Sequence, residues 1–146
     1  MKIESSAFLN GEMIPAEYTC DGEGINPELL ISGVPESAKS LALIVDDPDA
    51  PMGNFNHWVA WNINPAVQKI EEDSLPKGAV SGINDNEEVG YIGPCPPGGI
   101  HRYYLKIYAL DALLDLGPDA RKKDLEEAMA EHILSEAELL GKYSRV

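Results

Sequence analysis

Three short apolar runs, each fenced by turn-forming residues, constrain this chain more than any other feature: residues 40–46 (SLALIVD), 57–63 (HWVAWNI) and 102–110 (RYYLKIYAL). All three are rich in aliphatic, β-branched or aromatic side chains, so each predicts a strand. The first is almost continuously apolar, which predicts burial on both faces. In the third, Tyr104, Lys106 and Tyr108 alternate with Tyr103, Leu105, Ile107 and Ala109, which predicts one more apolar face. Residues 29–32 form a shorter strand candidate, and residues 3–9 read as a short extended segment. The 13 glycines and 11 prolines gather in the first two thirds of the chain, as expected of many turns between short strands. Residues 15–27, with Asp21-Gly22 and Gly24, read as a loop.

The last quarter changes character. Pro118 and Asp119 read as a helix start, with the acid placed against the positive helix end. Leu125, Met129, Ile133, Ala137 and Leu140 then recur at three- and four-residue spacing, which predicts a helical stripe packed on the sheet. Gly141 reads as the helix stop, and residues 143–146 as a final extended piece. Strands followed by helix, without regular alternation, argue against a doubly wound parallel sheet. The expected fold is mainly β: a two-sheet antiparallel β-sandwich with C-terminal helices, as a single domain over residues 1–146.

The formal charge of −14, from 25 acidic and 11 basic residues, repels nucleic acid and anionic membranes. The densest basic group, Arg121 to Lys123, is followed at once by acids. No apolar stretch approaches the roughly 20 residues that cross a bilayer, and residues 1–10 lack the apolar core of a signal peptide. The expected location is cytoplasmic. Cys20 and Cys95 stand far apart in no metal-binding spacing, and read as free thiols of a reducing compartment.

Polar groups flank the strands at three places. Asp46, Asp47 and Asp49 end the first run in the string DDPDAP. Pro48 and Pro51 fix two φ angles and stiffen it, so its carboxylates are held in place. The Ala50–Pro51 peptide is predicted to be cis. His57 opens the second strand. His101, Arg102 and Tyr103 open the third, after residues 93–99 (GPCPPGG), a stiff exposed loop whose backbone can approach a ligand closely. It is not a phosphate loop, having neither GxxxxGK[ST] nor a helix start. A carboxylate can hold an imidazole in one tautomer, and such a histidine is a good donor to phosphate oxygens. His132, in the stripe, is given no role.

Asp47-Pro48-Asp49-Ala50-Pro51, His57-Trp58, and residues 93–97 leading to His101-Arg102-Tyr103 together resemble the two signature segments of the phosphatidylethanolamine-binding protein family. The match is to its bacterial and archaeal, Raf-kinase-inhibitor-like branch, and covers nearly the whole chain, including the ending AMAEHILSEAELLGKYSR. The resemblance implies two antiparallel sheets with C-terminal helical elements, and a small pocket for phosphate-like anions and phospholipid headgroups. Carried over residue by residue, that pocket uses Asp47, Asp49, His57, Pro96, Pro97, His101 and Tyr103. The MGNFN loop at residues 52–56 is shorter than in eukaryotic members, whose pocket-covering C-terminal helix has no counterpart here.

The function expected is therefore noncatalytic binding of a small anionic or zwitterionic phosphate ester, with a regulatory role of the kinase- or protease-inhibitor kind, and with no cofactor or metal. The alternative is a metal-assisted or other hydrolase using the same Asp/His pocket. No HExxH or GxSxG supports it, and clustered acids and histidines also occur in plain binding sites. The aromatic strands leave a homodimer open.

Overall fold

A computed structural model describes residues 1–145. Its elements run β1 (Lys2–Glu4), β2 (Leu29–Ser32), β3 (Ser40–Asp47), β4 (Phe55–Ile63), β5 (Lys69–Ile70), β6 (Val80–Ser81), β7 (His101–Leu110), α1 (Lys122–Met129) and β8 (Ile133–Tyr143). They form two antiparallel sheets, ordered β1-β2-β5 and β6-β4-β3-β7-β8. The fold is mainly β, with one short α-helix and a single 3-10 turn at Ala16–Tyr18 among the described residues.

The apolar run of β3 is explained by its central place in the larger sheet. Leu41, Leu43 and Val45 face the smaller sheet, where they pack with Ile3, Leu29, Ile31 and Ile70. Ala42 and Ile44 face the other way, with Val59 and Trp61, into a second core closed by Leu114, Leu125 and Met129. Both faces are covered, so a strand with no polar alternation is the sequence that fits. In β7, Tyr103, Leu105, Ile107 and Ala109 are buried while Tyr104, Lys106 and Tyr108 are half-buried, as the alternation predicts.

Three sequence expectations are corrected. First, the long C-terminal helix is short. Pro118 and Asp119 lie in a turn closed by the Ala120 N–H on the Gly117 carbonyl, and α1 spans only Lys122–Met129. Leu125 and Met129 are buried as the stripe requires, but Ile133, Ala137 and Leu140 belong to β8. In β8 they do not share a face: Ala137 packs on the first core, Leu140 lies opposite Tyr104 on the other face, and a register shift between Ala109 and Leu110 offsets Ile133. The deciding influence is tertiary: β8 pairs with the otherwise open edge of β7, from Leu110↔Ile133 to His101↔Tyr143. Gly141 is not a helix stop; Ile14 and Phe8 pack where its Cβ would stand, 2.6 and 2.8 Å from the nearest carbons. Of the expected extended end, Tyr143 closes β8, and Val146 lies outside the described residues.

Second, no peptide bond among the described residues is cis, so Ala50–Pro51 is trans. The turn needs no cis bond because the Gly53 N–H closes it on the Ala50 carbonyl at 3.0 Å. Third, Cys20 and Cys95 are not free: they form a disulfide, with Cα atoms 5.4 Å apart. Free thiols therefore give no argument for a reducing compartment. No helix among the described residues is long and apolar enough to cross a membrane.

Candidate functional site

Antiparallel pairing brings the C-terminal end of β3 beside the starts of β4 and β7, with Asp46 opposite both Asn56 and Tyr104. The charged and aromatic residues at these three strand ends therefore meet at one edge of the larger sheet. They line a cavity of about 220 Å³ closed by the loop after residue 92. Six of the seven site residues expected from sequence line it: Asp47, His57, Pro96, Pro97, His101 and Tyr103. Phe55 and Asn86, which sequence reasoning did not name, line it too, as does Cys95 of the proline-rich loop. A wider hollow of about 540 Å³ between residues 1–10 and β8 holds no histidine or tyrosine.

His57 reaches the cavity because β4 bulges there. Val45 pairs with Trp58 but Asp46 pairs with Asn56, which leaves His57 as the extra residue. A bulge of this kind turns a side chain to a face that strict alternation would deny it. Asn56 braces the irregularity: its buried side-chain amide donates to the Val45 and Trp58 carbonyls and to Asp46 Oδ1, each at 3.2 Å. Asp46 is thus structural. Buried beneath the sheet end, it also pairs with Lys122 Nζ at 2.8 Å.

Hydrogen bonding fixes both imidazoles. His57 Nδ1 lies 2.8 Å from the Ile92 carbonyl, and His101 Nδ1 lies 2.7 Å from Asp47 Oδ2. Carbonyl and carboxylate oxygens only accept, so both Nδ1 atoms carry hydrogen and both Nε2 atoms remain for a ligand. Asp47 is itself locked, since its Oδ1 accepts the Asp49 N–H at 2.8 Å. The three rings pack together: His57 meets Tyr103 edge-on at 5.4 Å and His101 stacks on Tyr103 at 6.5 Å.

Asp49 does not line the cavity. Arg102 takes its carboxylate, with Nε and the backbone N–H on Oδ2 at 2.9 and 2.8 Å and Nη2 on Oδ1 at 2.8 Å. These bonds hold the Asp49 carboxyl down at about 2. Asp47 on His101 and Asp49 on Arg102 therefore form two adjacent clasps between the DPD and HRY segments. The sequence carried a sign of the second clasp, an arginine beside the site histidine with a second acid two residues past the first.

Burial pushes the His57 imidazole below its ordinary value, against the opposing pull of the Ile92 carbonyl and the Asp47 charge. The folded protein thus favours a neutral ring that the unfolded chain protonates near pH 6.5. The resulting stability is complete above about pH 6.5 and is lost as pH falls from there through the lower folded-state value, at up to about 1.4 kcal/mol per pH unit. Urea denaturation of wild type and His57→Gln between pH 7.5 and 5.5 checks this. Wild type is expected to lose more stability on acidification than the variant, and equal losses would contradict it.

Tyr103 is 1% exposed, and its hydroxyl makes no fully formed hydrogen bond in the protein, although the Asp47 carboxylate stands near it. Burial, reinforced by the neighbouring Asp47 charge, pushes the phenol up, so the group is a firmly held O–H donor.

The profile of the family described as phosphatidylethanolamine-binding protein matches residues 4–144. The chain belongs to the phosphatidylethanolamine-binding protein family. A UPF0098 protein of the archaeon Methanothermobacter thermautotrophicus is 52% identical over 99% of each chain, and one from Aquifex aeolicus is 47% identical over 99% of this chain and 89% of its own. Among solved structures, a putative phosphatidylethanolamine-binding protein homolog from Chlamydia trachomatis superposes with a TM-score of 0.96 at 44% identity, covering 99% of this chain and 97% of that one. YbcL of E. coli, described as a new member of the mammalian family, superposes with a TM-score of 0.93 at 30% identity over 99% and 98%. Family membership thus rests on the whole length of the fold and not on the two short motifs alone.

Proposed function

We propose that the cavity of this phosphatidylethanolamine-binding protein family member binds a small phosphate ester without transforming it. The observation that carries this reading is the Tyr103 hydroxyl, buried without a fully formed hydrogen bond in the protein, on a residue that lines the cavity. Leaving a buried donor unmade costs about 1–3 kcal/mol, and a ligand oxygen repays that cost on binding. His57 and Tyr103 have opposite needs. The neutral His57 ring offers a lone pair at Nε2, so it takes a hydrogen from the ligand, whereas Tyr103 gives one. Phosphoethanolamine answers both: its phosphate oxygens suit the Tyr103 hydroxyl and the Nε2–H that His101 presents when its ring is protonated against Asp47, and its ammonium suits the His57 lone pair. A zwitterion also suits a protein of net charge −14 better than a bare dianion does.

A hydrolytic reading has less support. Cys95 is held in the disulfide and is no nucleophile. Both Asp47 oxygens are already engaged, and no cluster of three His, Cys, Asp or Glu side chains among the described residues could hold a metal ion.

Calorimetric titration of wild type and Tyr103→Phe with phosphoethanolamine tests the proposal. The variant is expected to bind about tenfold more weakly while folding as stably as wild type or more so, because it removes an unsatisfied buried group. Undiminished binding would show that the hydroxyl meets no ligand, and the reading would fall.

A further inference from the structure

We infer that the Cys20–Cys95 disulfide is a redox modification site, at which a dithiol reductant releases the proline-rich wall of the cavity. Both cysteines are exposed to solvent, and Cys95 lines the cavity. Exposed disulfides are the ones that thiols reach and reduce. The bond joins two segments 75 residues apart, and the two are held very differently.

The Cys20 side is firm. Thr19 N–H and Oγ1 donate to the Ala16 carbonyl at 3.0 and 2.8 Å, and the Gly22 N–H donates to the Thr19 carbonyl at 3.1 Å. Asp21, next to Cys20, accepts the Tyr143 hydroxyl at 2.5 Å and Arg145 Nε at 3.1 Å. On the other side, hydrogen bonds hold the chain only as far as Pro94, whose carbonyl accepts the Cys20 N–H at 3.0 Å. From Cys95 to Ile100 no residue makes a hydrogen bond to another described residue, and regular pairing resumes at His101. Pro96, which is buried, and Pro97, which is exposed, line the cavity from inside this stretch without hydrogen bonds. Between Pro94 and β7 the disulfide is therefore its one covalent or hydrogen-bonded tether among the described residues.

The reaction is ordinary thiol–disulfide exchange. A thiolate of the dithiol attacks one sulfur, forming a mixed disulfide and releasing the other cysteine as a thiolate, which is protonated. The second thiol of the reductant then displaces the first cysteine. Two electrons and two protons end on Cys20 and Cys95, and the reductant leaves as its own disulfide. Most of the first core lies between the two sheets and the second lies under α1, and only Tyr18, Tyr103 and Tyr143 of the first come near this bond, so reduction loosens the wall and leaves the strand pairing intact. A loosened wall has to be ordered again when a ligand binds, which weakens affinity.

The consequence for affinity rests on the proposed phosphate-ester pocket, whereas the release of the wall does not. Native protein is incubated with dithiothreitol, and thiols, circular dichroism, amide exchange and phosphoethanolamine binding are followed together. Two titratable thiols, an unchanged far-ultraviolet spectrum, about tenfold faster exchange of the Cys20 amide and unchanged exchange in β3 and β7 are expected. Phosphoethanolamine should bind about tenfold more weakly, and Cys20→Ser/Cys95→Ser should show the weak binding with or without dithiothreitol. A disulfide that resists native reduction, that yields only with global unfolding, or whose loss leaves the Cys20 amide protected overturns the inference. If the oxidised protein binds no phosphoethanolamine, the pocket reading fails separately and the exchange data alone decide this one.

Discussion

Asp47→Ala is expected to unfold at a lower urea concentration than wild type, with a loss of about 3 kcal/mol, and to lose most of its affinity for phosphoethanolamine. Asp47 is 3% exposed and its partner His101 6%. Truncation strands two donors at once, His101 Nδ1–H and the Asp49 N–H. Removing one partner of a buried charge-assisted pair is far more costly than forming the pair is worth. The binding loss follows from the same geometry: without its carboxylate the His101 ring is free to turn, and Nε2 no longer faces the cavity in one fixed direction. Asp47→Asn keeps one acceptor and is expected to fall between the two. A stability change below about 1 kcal/mol in the alanine variant, with binding intact, would mean that His101 is positioned by something else.

Gly93→Ala is expected to be nearly as damaging, although glycine and alanine differ by one methyl group. A Cβ at position 93 would lie 2.8 Å from both Thr19 Cα and the Tyr18 carbonyl oxygen. These are backbone atoms of the segment that also receives the Tyr91 hydroxyl, at 2.7 Å on the Tyr18 carbonyl. Nothing there can swing aside, so the cavity loop and its support must move apart, at a cost of roughly 2–3 kcal/mol. Gly98→Ala is the control. Its added Cβ meets nothing within 4 Å, and a change of less than about 0.5 kcal/mol is expected. Equal effects of the two substitutions in thermal or urea unfolding would refute the packing explanation.

What the sequence made legible follows from which forces decide each element. β2, β3, β4 and β7 could be read because their apolar residues meet the two cores directly, and local pattern and tertiary demand agree. β8 could not, because the three- and four-residue spacing of Ile133, Ala137 and Leu140 suits a helix, and only pairing with the open edge of β7 makes the segment a strand. The disulfide was hidden for a similar reason. Nothing local to Cys20 or Cys95 indicates that the turn around Ala16–Tyr18 folds against the loop after Ile92. At the site, residue type and motif identified the groups that meet, but not their hydrogen-bonding roles. Asp49 reads as a second pocket carboxylate, yet Arg102 occupies it. His57 reads as a donor, yet burial and the Ile92 carbonyl make it an acceptor.

Crystals soaked in phosphoethanolamine test the pocket most directly. Phosphate density within hydrogen-bonding distance of the Tyr103 hydroxyl and His101 Nε2, with the ammonium turned toward His57 Nε2, is the expected result. A cavity empty at saturating ligand, or phosphate seated away from these three rings, would contradict it.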